Sequence, residues 1–231
     1  MAVSSLTNAT QDYLKVIWAA TEWSDDVSVS VTYVAESLGV RTSTVSDGLK
    51  KLTEQGLVDH KPYGGITLTE LGHSYAVSMV RRHRLIETFL VNMMGYTWDE
   101  VHDEAEVLEH AMSDTLIDRL DAALGHPERD PHGDPIPTAS GTPRRQDAYQ
   151  LSSAPIGQPV LVSRISDDNP EMLRYFAGLG LTPGIQVTIV EHRPYAGVSS
   201  IRIANEAAPD QAPVDLGSVA LASVWVENCE G

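Results

Sequence analysis

Between Val31 and Gly72 the chain reads as two short amphipathic helices around a glycine, followed by a hairpin, and few folds accommodate that order. In "VTYVAESLGV", Val34, Ala35 and Leu38 share one helical face and Gly39 ends the run. Thr42 or Ser43 is placed to cap a second helix whose Val45, Leu49 and Leu52 point inward. After Gly56, "LVDHKPYGGITLT" has the pattern strand, turn, strand, with alternation of period two in "ITLT". The sum is a helix-turn-helix with a wing. Ahead of it, "LTNATQDYLKVIWAATEW" supplies a helix with Tyr13, Leu14, Ile17 and Trp18 on its apolar face and Asn8 and Gln11 at capping-box spacing.

Downstream, Glu70 to about Met94 is expected as one long helix without proline that Gly95 ends, and Trp98 to Leu124 as another closed by Gly125. The composition then shifts. From Gly125 to Gly157 the chain holds six of its thirteen prolines and little apolar periodicity, which reads as linker or loop. From about Val160 to Glu227, the runs "PVLVSRI", "IQVTIVEH", "VSSIRIA" and "VALASVWV" suggest a small all-β barrel of roughly seventy residues, with a short helix at "NPEMLRYFAGLG". The fold class expected is α+β and multidomain. At 231 residues the chain has room for one large domain or two to three small ones.

No signal-like opening and no long uncharged apolar run occurs, so the expectation is a cytoplasmic protein with no membrane span. Cys229 is the only cysteine, which excludes internal disulfides and thiolate-rich metal sites. A formal charge of -16 excludes a chain-wide nucleic-acid footprint, because nonspecific affinity comes from Lys and Arg on phosphates. Any basic surface must be local.

One helix carries more chemistry than a solvated face needs. In "WDEVHDEAEVLEHAMSD", His102, Glu106, Glu109 and His110 stand at i, i+4, i+7 and i+8, on one face about 100° wide. The preceding long helix adds His83 and Glu87 at i, i+4. Taken singly, each is an ordinary wet-face residue. Together with Asp103 and Glu104 the carboxylates repel one another, and a divalent cation relieves that. Imidazole and carboxylate without thiolate suit Mn, Fe(II) or Zn, and the oxygen donors lean toward Mn. In the second helix of the helix-turn-helix, Arg41, Lys50 and Lys51 are candidates for phosphates, and Thr42, Ser43, Thr44, Ser46 and Asp47 for phosphates or base edges. Lys61 and Tyr63 on the hairpin are further candidate contacts to the DNA backbone or minor groove. Asp12 sits early in the first helix, where an acidic residue suits the helix dipole.

These segments resemble the metal-dependent repressors typified by the diphtheria toxin repressor, and within them the manganese-responsive (MntR-like) branch. The resemblance runs through "ATQDYLKVIW", "TVSDGLKKLTEQGLV", "RRHRLIETFL", "VHDEAEVLEHAMSD", "DPHGDPIP" and "ISDDNPEMLRYFAGLGLTPG", nearly the whole chain. It implies a homodimer that binds palindromic double-stranded operator DNA when metal is bound and controls metal-homeostasis genes. It implies a winged helix-turn-helix domain at 1–73, a helical dimerisation and metal-binding domain at 74–142, a linker at 143–154 and an SH3-like, FeoA-type barrel at 155–231. Asp12 falls where the iron branch has Met, and Glu106 where it has Cys. Glu109 and His110 match ligands shared by both branches, and His83, Glu87 and His102 match a second site. Carboxylates in place of both sulfur ligands favour Mn(II), with Fe(II), Co(II) or Zn(II) as substitutes. Two departures stand out. Lys15 replaces a glutamate found in one manganese regulator, against a binuclear cluster of that type, and the barrel positions that complete the second site fall near Asn169 and Met172, where Asp168 or Glu171 could substitute.

The resemblance implies that metal tethers Asp12, in the DNA-binding domain, to Glu106, Glu109 and His110. The rivals are a di-metal oxidase centre in a ferritin-like bundle, an iron-responsive repressor of the same family, and a winged-helix regulator that senses an organic ligand. The oxidase pattern Glu-x-x-His is absent from "HDEAEVLEH".

Overall fold

The computed structural model describes residues 3, 6–23, 28–60, 64–142, 147–204 and 212–229. They form two packing units, one from the segments 1–86, 106–126 and 136–144, the other from 87–105, 127–135 and 145–231. Among the described residues no helix is long and apolar enough to cross a membrane.

In the first unit, α1 (Asn8–Glu22), α2 (Val31–Ser37) and α3 (Thr42–Glu54) precede a hairpin of β1 (Val58–His60) and β2 (Ile66–Leu68). The strands pair antiparallel, with Asp59 opposite Thr67. Leu14, Ile17, Val34, Val45, Leu49, Leu52 and Ile66 close into one core, as the helical spacing requires. Each such side chain contributes roughly 1.5–3 kcal/mol on burial. This is the expected winged helix-turn-helix.

Two helix starts differ from expectation. The cap of α1 is Thr7, whose hydroxyl accepts from the Thr10 amide, and Gln11 is turned inward instead of forming a capping box with Asn8. At α3 neither Thr42 nor Ser43 caps; the N-cap position is Arg41, which makes no side-chain cap hydrogen bond.

α4 (Glu70–Phe89) continues into a π-helical turn, Leu90–Met94, ended by Gly95 at φ 79°. The single helix expected over Trp98–Leu124 is two: α5 (Val101–Ala111) and α6 (Asp114–Ala123). Ser113 ends the first helical run and caps the next, accepting from the Leu116 amide. The buried Arg82 guanidinium then donates to the carbonyls of Glu109 and Met112, at 3.0 and 2.6 Å, which the end of α5 leaves unpaired.

The second unit is built on a six-stranded antiparallel sheet in the order β3-β8-β4-β5-β6-β7. Its strands are β3 (Tyr149–Gln150), β4 (Pro159–Ile165), β5 (Gln186–Arg193), β6 (Val198–Ile203), β7 (Val214–Gly217) and β8 (Val224–Asn228). Bulges between Val162 and Arg164, and between Ile189 and Glu191, bend β4 and β5. α7 (Pro170–Leu179) begins with Asn169 as cap and Pro170 in its first turn, and α8 (Ser218–Ala222) precedes β8.

The proline-rich stretch is a loop but not a free linker. Asp130, His132, Asp134 and Ile136 are all buried. Asp130 Oδ1 accepts from the amides of His132 and Asp134, both at 2.9 Å, and Arg164 Nε donates to Asp134 Oδ1 at 2.5 Å. Gly133, at φ 91°, lets the backbone pass where a Cβ would stand 2.0 Å from the Ser163 carbonyl.

A second glycine fixes the wing to α4. A Cβ on Gly72 would lie 1.9 Å from the Leu57 carbonyl oxygen, which itself accepts from the Thr69 amide. Alanine gains about 1 kcal/mol over glycine in a helix, whereas overpacking against backbone costs about 1–3 kcal/mol. Gly72→Ala should therefore lose up to about 2 kcal/mol net, read as a lower midpoint in chemical denaturation.

Candidate functional site

Five side chains from α1 and α5 meet in the first unit. His110 Nε2 lies 2.9 Å from Asp12 Oδ1, and Lys15 Nζ lies 2.5 Å from Glu106 Oε1 and 2.6 Å from Glu109 Oε1. From α4, His83 Nδ1 reaches Glu109 Oε2 at 2.6 Å. Asp12, Glu109 and His110 each present a donor atom within 4.8 Å of the others, as do His83, Glu106 and Glu109. Glu109 thus belongs to both groups, one shared with Asp12 and His110 and the other with His83 and Glu106.

Glu109 is fully buried. Burial opposes its charge, but His83 and Lys15 outweigh that and hold its carboxyl below the usual range. Asp12 goes the other way. Burial, with help from Glu106 and Glu109, raises its carboxyl above the usual range against the pull of His110 and Lys15. Asp12 Oδ1 is buried and makes no hydrogen bond. Like charges 4 Å apart near a protein surface repel by about 4 kcal/mol, so three carboxylates here call for cations. An under-bonded carboxylate oxygen, an imidazole and two further carboxylates, with no sulfur, form a donor set that fits a divalent ion of the Mn type.

Gln11 carries a role that spacing did not signal. Its Oε1 meets His110 Nδ1 at 2.8 Å, while its Nε2 donates to the carbonyls of Val3 and Leu6 at 3.2 and 3.0 Å. An acceptor at Nδ1 puts the neutral imidazole's hydrogen there and leaves Nε2 as the donor atom facing Asp12. Arg84 steadies α1 against α4 through a bidentate pair with Glu22, at 2.8 and 2.7 Å, and lies over the Trp18 ring.

A second cluster lies within the other unit. His102 Nδ1 stands 3.4 Å from Glu87 Oε1 and 3.3 Å from Asp167 Oδ2. His132, fully buried, stacks on Trp98, and its Nε2 donates to the Trp98 carbonyl at 2.6 Å. Its Nδ1 faces Glu87 Oε2 at 3.8 Å and makes no hydrogen bond. Glu87, Asp130 and His132 also present donor atoms within 4.8 Å of one another. Asp167 and Glu87 push His102 up to about 11. Burial works against charge on His132, but Glu87 and Asp130 push it up to about 10.

The barrel residue in this cluster is Asp167; Asp168 and Glu171, expected to take part, lie outside the group. Asp168 is exposed and accepts from Ser166 Oγ at 2.6 Å, and Glu171 is exposed in the first turn of α7. Asp130 and His132 join this cluster although the spacing of "DPHGDPIP" gives no sign of it.

Along α3, Arg41, Thr42, Ser43, Thr44, Ser46, Asp47, Lys50 and Lys51 are all exposed, while Val45 and Leu49 face the core. Lys61 and Tyr63 lie outside the described residues. Tyr13, next to Asp12, donates its hydroxyl to the Thr44 carbonyl at 3.3 Å and fills the space that a side chain on Gly48 would occupy.

Residues 5–66 match the family described as iron dependent repressor, N-terminal DNA binding domain, and residues 69–138 its metal binding and dimerisation domain. Residues 149–227 match the FeoA domain. The iron-dependent repressor IdeR of Mycobacterium bovis is 31% identical over 212 residues, 86% of this chain and 90% of that protein. The solved structure of a manganese-dependent transcriptional repressor in complex with manganese is similar at TM-score 0.89 and 53% identity, covering 95% of this chain and 99% of that one. The manganese regulator SloR is similar at TM-score 0.78 and 34% identity, over 96% of this chain and 100% of its own.

In metal-free protein His102 should stay charged through the range where an ordinary histidine, near 6.5, titrates. Its stabilising charge is present in full below that value and is lost as pH rises through about 11. Asp167→Asn removes the larger cause, so NMR titration of the His102 ring should show a clearly lower midpoint; an unmoved midpoint would exclude Asp167 as its partner.

Proposed function

Because this chain belongs to the family of iron-dependent repressors, metal-dependent regulators that bind DNA and are not enzymes, we propose that it is a Mn(II)-gated repressor whose activating ion is held by Asp12, Glu106, Glu109 and His110. The observation that carries this reading is the meeting of Asp12, on a helix packed into the winged-helix core, with Glu109 and His110 of α5. A bound divalent ion supplies the positive charge that three carboxylates lack. His83 holds Glu109 and Gln11 holds His110, so both donors are oriented in advance. Asp12 is fixed to the same helix as Tyr13, which rests on the backbone of α3. Holding Asp12 therefore restrains the helix beneath the recognition helix. Glu87, Asp130, His102, His132 and Asp167 form a second cation site, in place of one completed by Asp168 or Glu171.

Mn(II) is preferred because oxygen donors outnumber nitrogen and sulfur is missing; Fe(II), Co(II) and Zn(II) are competitors. The neighbours named for manganese support this choice, and the 31% identity to an iron-dependent repressor keeps an iron-responsive reading as the second. The exposed Val107 of α5 and Leu116 of α6 supply apolar surface for a homodimer. Two α3 helices would then read a palindrome of double-stranded operator DNA, with Arg41, Lys50, Lys51 and Lys61 on phosphates and Thr42, Ser43, Thr44, Ser46 and Asp47 toward phosphates or bases. The setting proposed is the cytoplasm, and the controlled genes those of metal uptake. The domain limits proposed are 1–73, 74–142, the linker 143–154, and 155–231.

Chelated protein and fragments of its own upstream DNA, titrated separately with Mn(II), Fe(II), Co(II) and Zn(II), test the reading. Operator affinity should rise about tenfold or more with Mn(II), within the roughly 5–150-fold span of allosteric coupling. Asp12→Ala should abolish most of that rise while melting like the parent protein; full Mn-dependent binding by this variant would exclude the tether. Lys50→Ala should weaken binding evenly across sequences and reduce the slope of log affinity against log salt by about one.

A further inference from the structure

Lys15 is a cation at the first cluster that the chain itself supplies. It lies one helical turn beyond Gln11 and three residues beyond Asp12 on α1, and only 14% of its side chain is exposed. Its ammonium stands 2.5 Å from Glu106 Oε1 and 2.6 Å from Glu109 Oε1. Glu109 offers a donor atom both to the group with Asp12 and His110 and to the group with His83 and Glu106, so its lone pairs are the ones a metal needs most. The ammonium cancels part of the repulsion between the two carboxylates and so stabilises the protein without metal. It also engages oxygens that a divalent ion would use.

We propose that Lys15 is a tethered competitor of the metal, an internal cation bonded to Glu106 and Glu109 that a divalent ion must draw off, so that Lys15 sets the metal concentration at which the site fills. The inference rests on the assignment of Asp12, Glu106, Glu109 and His110 as the metal site. It makes Lys15 a determinant of the response threshold. A competitor of this kind lowers affinity for every divalent ion alike and leaves their ranking to the donor atoms. An ordinary structural ion pair, by contrast, would affect folding and leave the metal affinity where it was.

The test is Mn(II) binding by isothermal titration calorimetry on chelated full-length protein, following the binding component that Glu109→Gln removes. Lys15→Met should bind Mn(II) at least tenfold more tightly than the parent protein. Without metal it should melt at a lower temperature, because Glu106 and Glu109 lose their counter-ion, and Mn(II) should raise its melting temperature by more than in the parent. Mn(II) affinity unchanged or weakened in a folded Lys15→Met protein overturns the proposal and leaves the metal site standing. Should the chelated methionine variant not fold, Lys15→Gln, which keeps a hydrogen-bonding group without charge, carries the same test with the same two outcomes. A Glu109→Gln protein that binds Mn(II) just as the parent does overturns the site assignment itself, and Lys15 with it.

Discussion

A carboxylate closed off from water must be paired, and Glu109 is such a carboxylate at the middle of the first unit. Around it stand His83 from α4, Lys15 from α1 and its own neighbour His110 on α5. Three helices therefore converge on one charge. Removing any partner leaves a buried charge under-compensated, which is costlier than losing a surface ion pair. The same arrangement explains why α1 carries Asp12, Lys15 and Gln11 on the side it turns toward α5: each answers a charge or a ring that α5 presents.

The local structure supports that convergence at modest cost. Breaking α5 at Ala111 frees carbonyls near Glu109, and Arg82, buried one residue before His83, takes them up. Ser113 then restarts the chain as α6. A continuous helix would have satisfied those carbonyls by itself and left the Arg82 guanidinium buried without them. In the second unit the loop from Asp130 to Asp134 does comparable work. Its backbone turns on Asp130 Oδ1, passes the sheet at Gly133, and in doing so aims His132 at Glu87. Residues that look like a linker by composition are buried, hydrogen-bonded structure by position.

Periodicity was a sound guide wherever one face of an element meets a core. Val45, Leu49 and Leu52 of α3 lie where their spacing puts them, because helical geometry is local and repeats every 3.6 residues or so. The misses have a different character. A break at Ser113 and an inward turn of Gln11 depend on partners far along the chain, Arg82 and His110. The choice of Asp167 over Asp168 depends on where β4 stops and where Asn169 caps α7.

The amino-acid sequence by itself determined the order of elements, the donor chemistry and the family: two helices and a hairpin, a helix of histidines and glutamates, one distant cysteine, and signature blocks spread along nearly the whole chain. Those are properties of composition and short-range spacing, which need no partner to be read. Only the tertiary structure decided which of those donors meet: His83 with Glu109, Asp12 with His110, His102 with Asp167, and His132 with Glu87. It also decided that Lys15, a departure by sequence, sits among the carboxylates as their counter-ion. Such pairings are set by the packing of helices and loops against one another, where a rotation of one residue carries a side chain to the opposite face, and no local pattern encodes that angle.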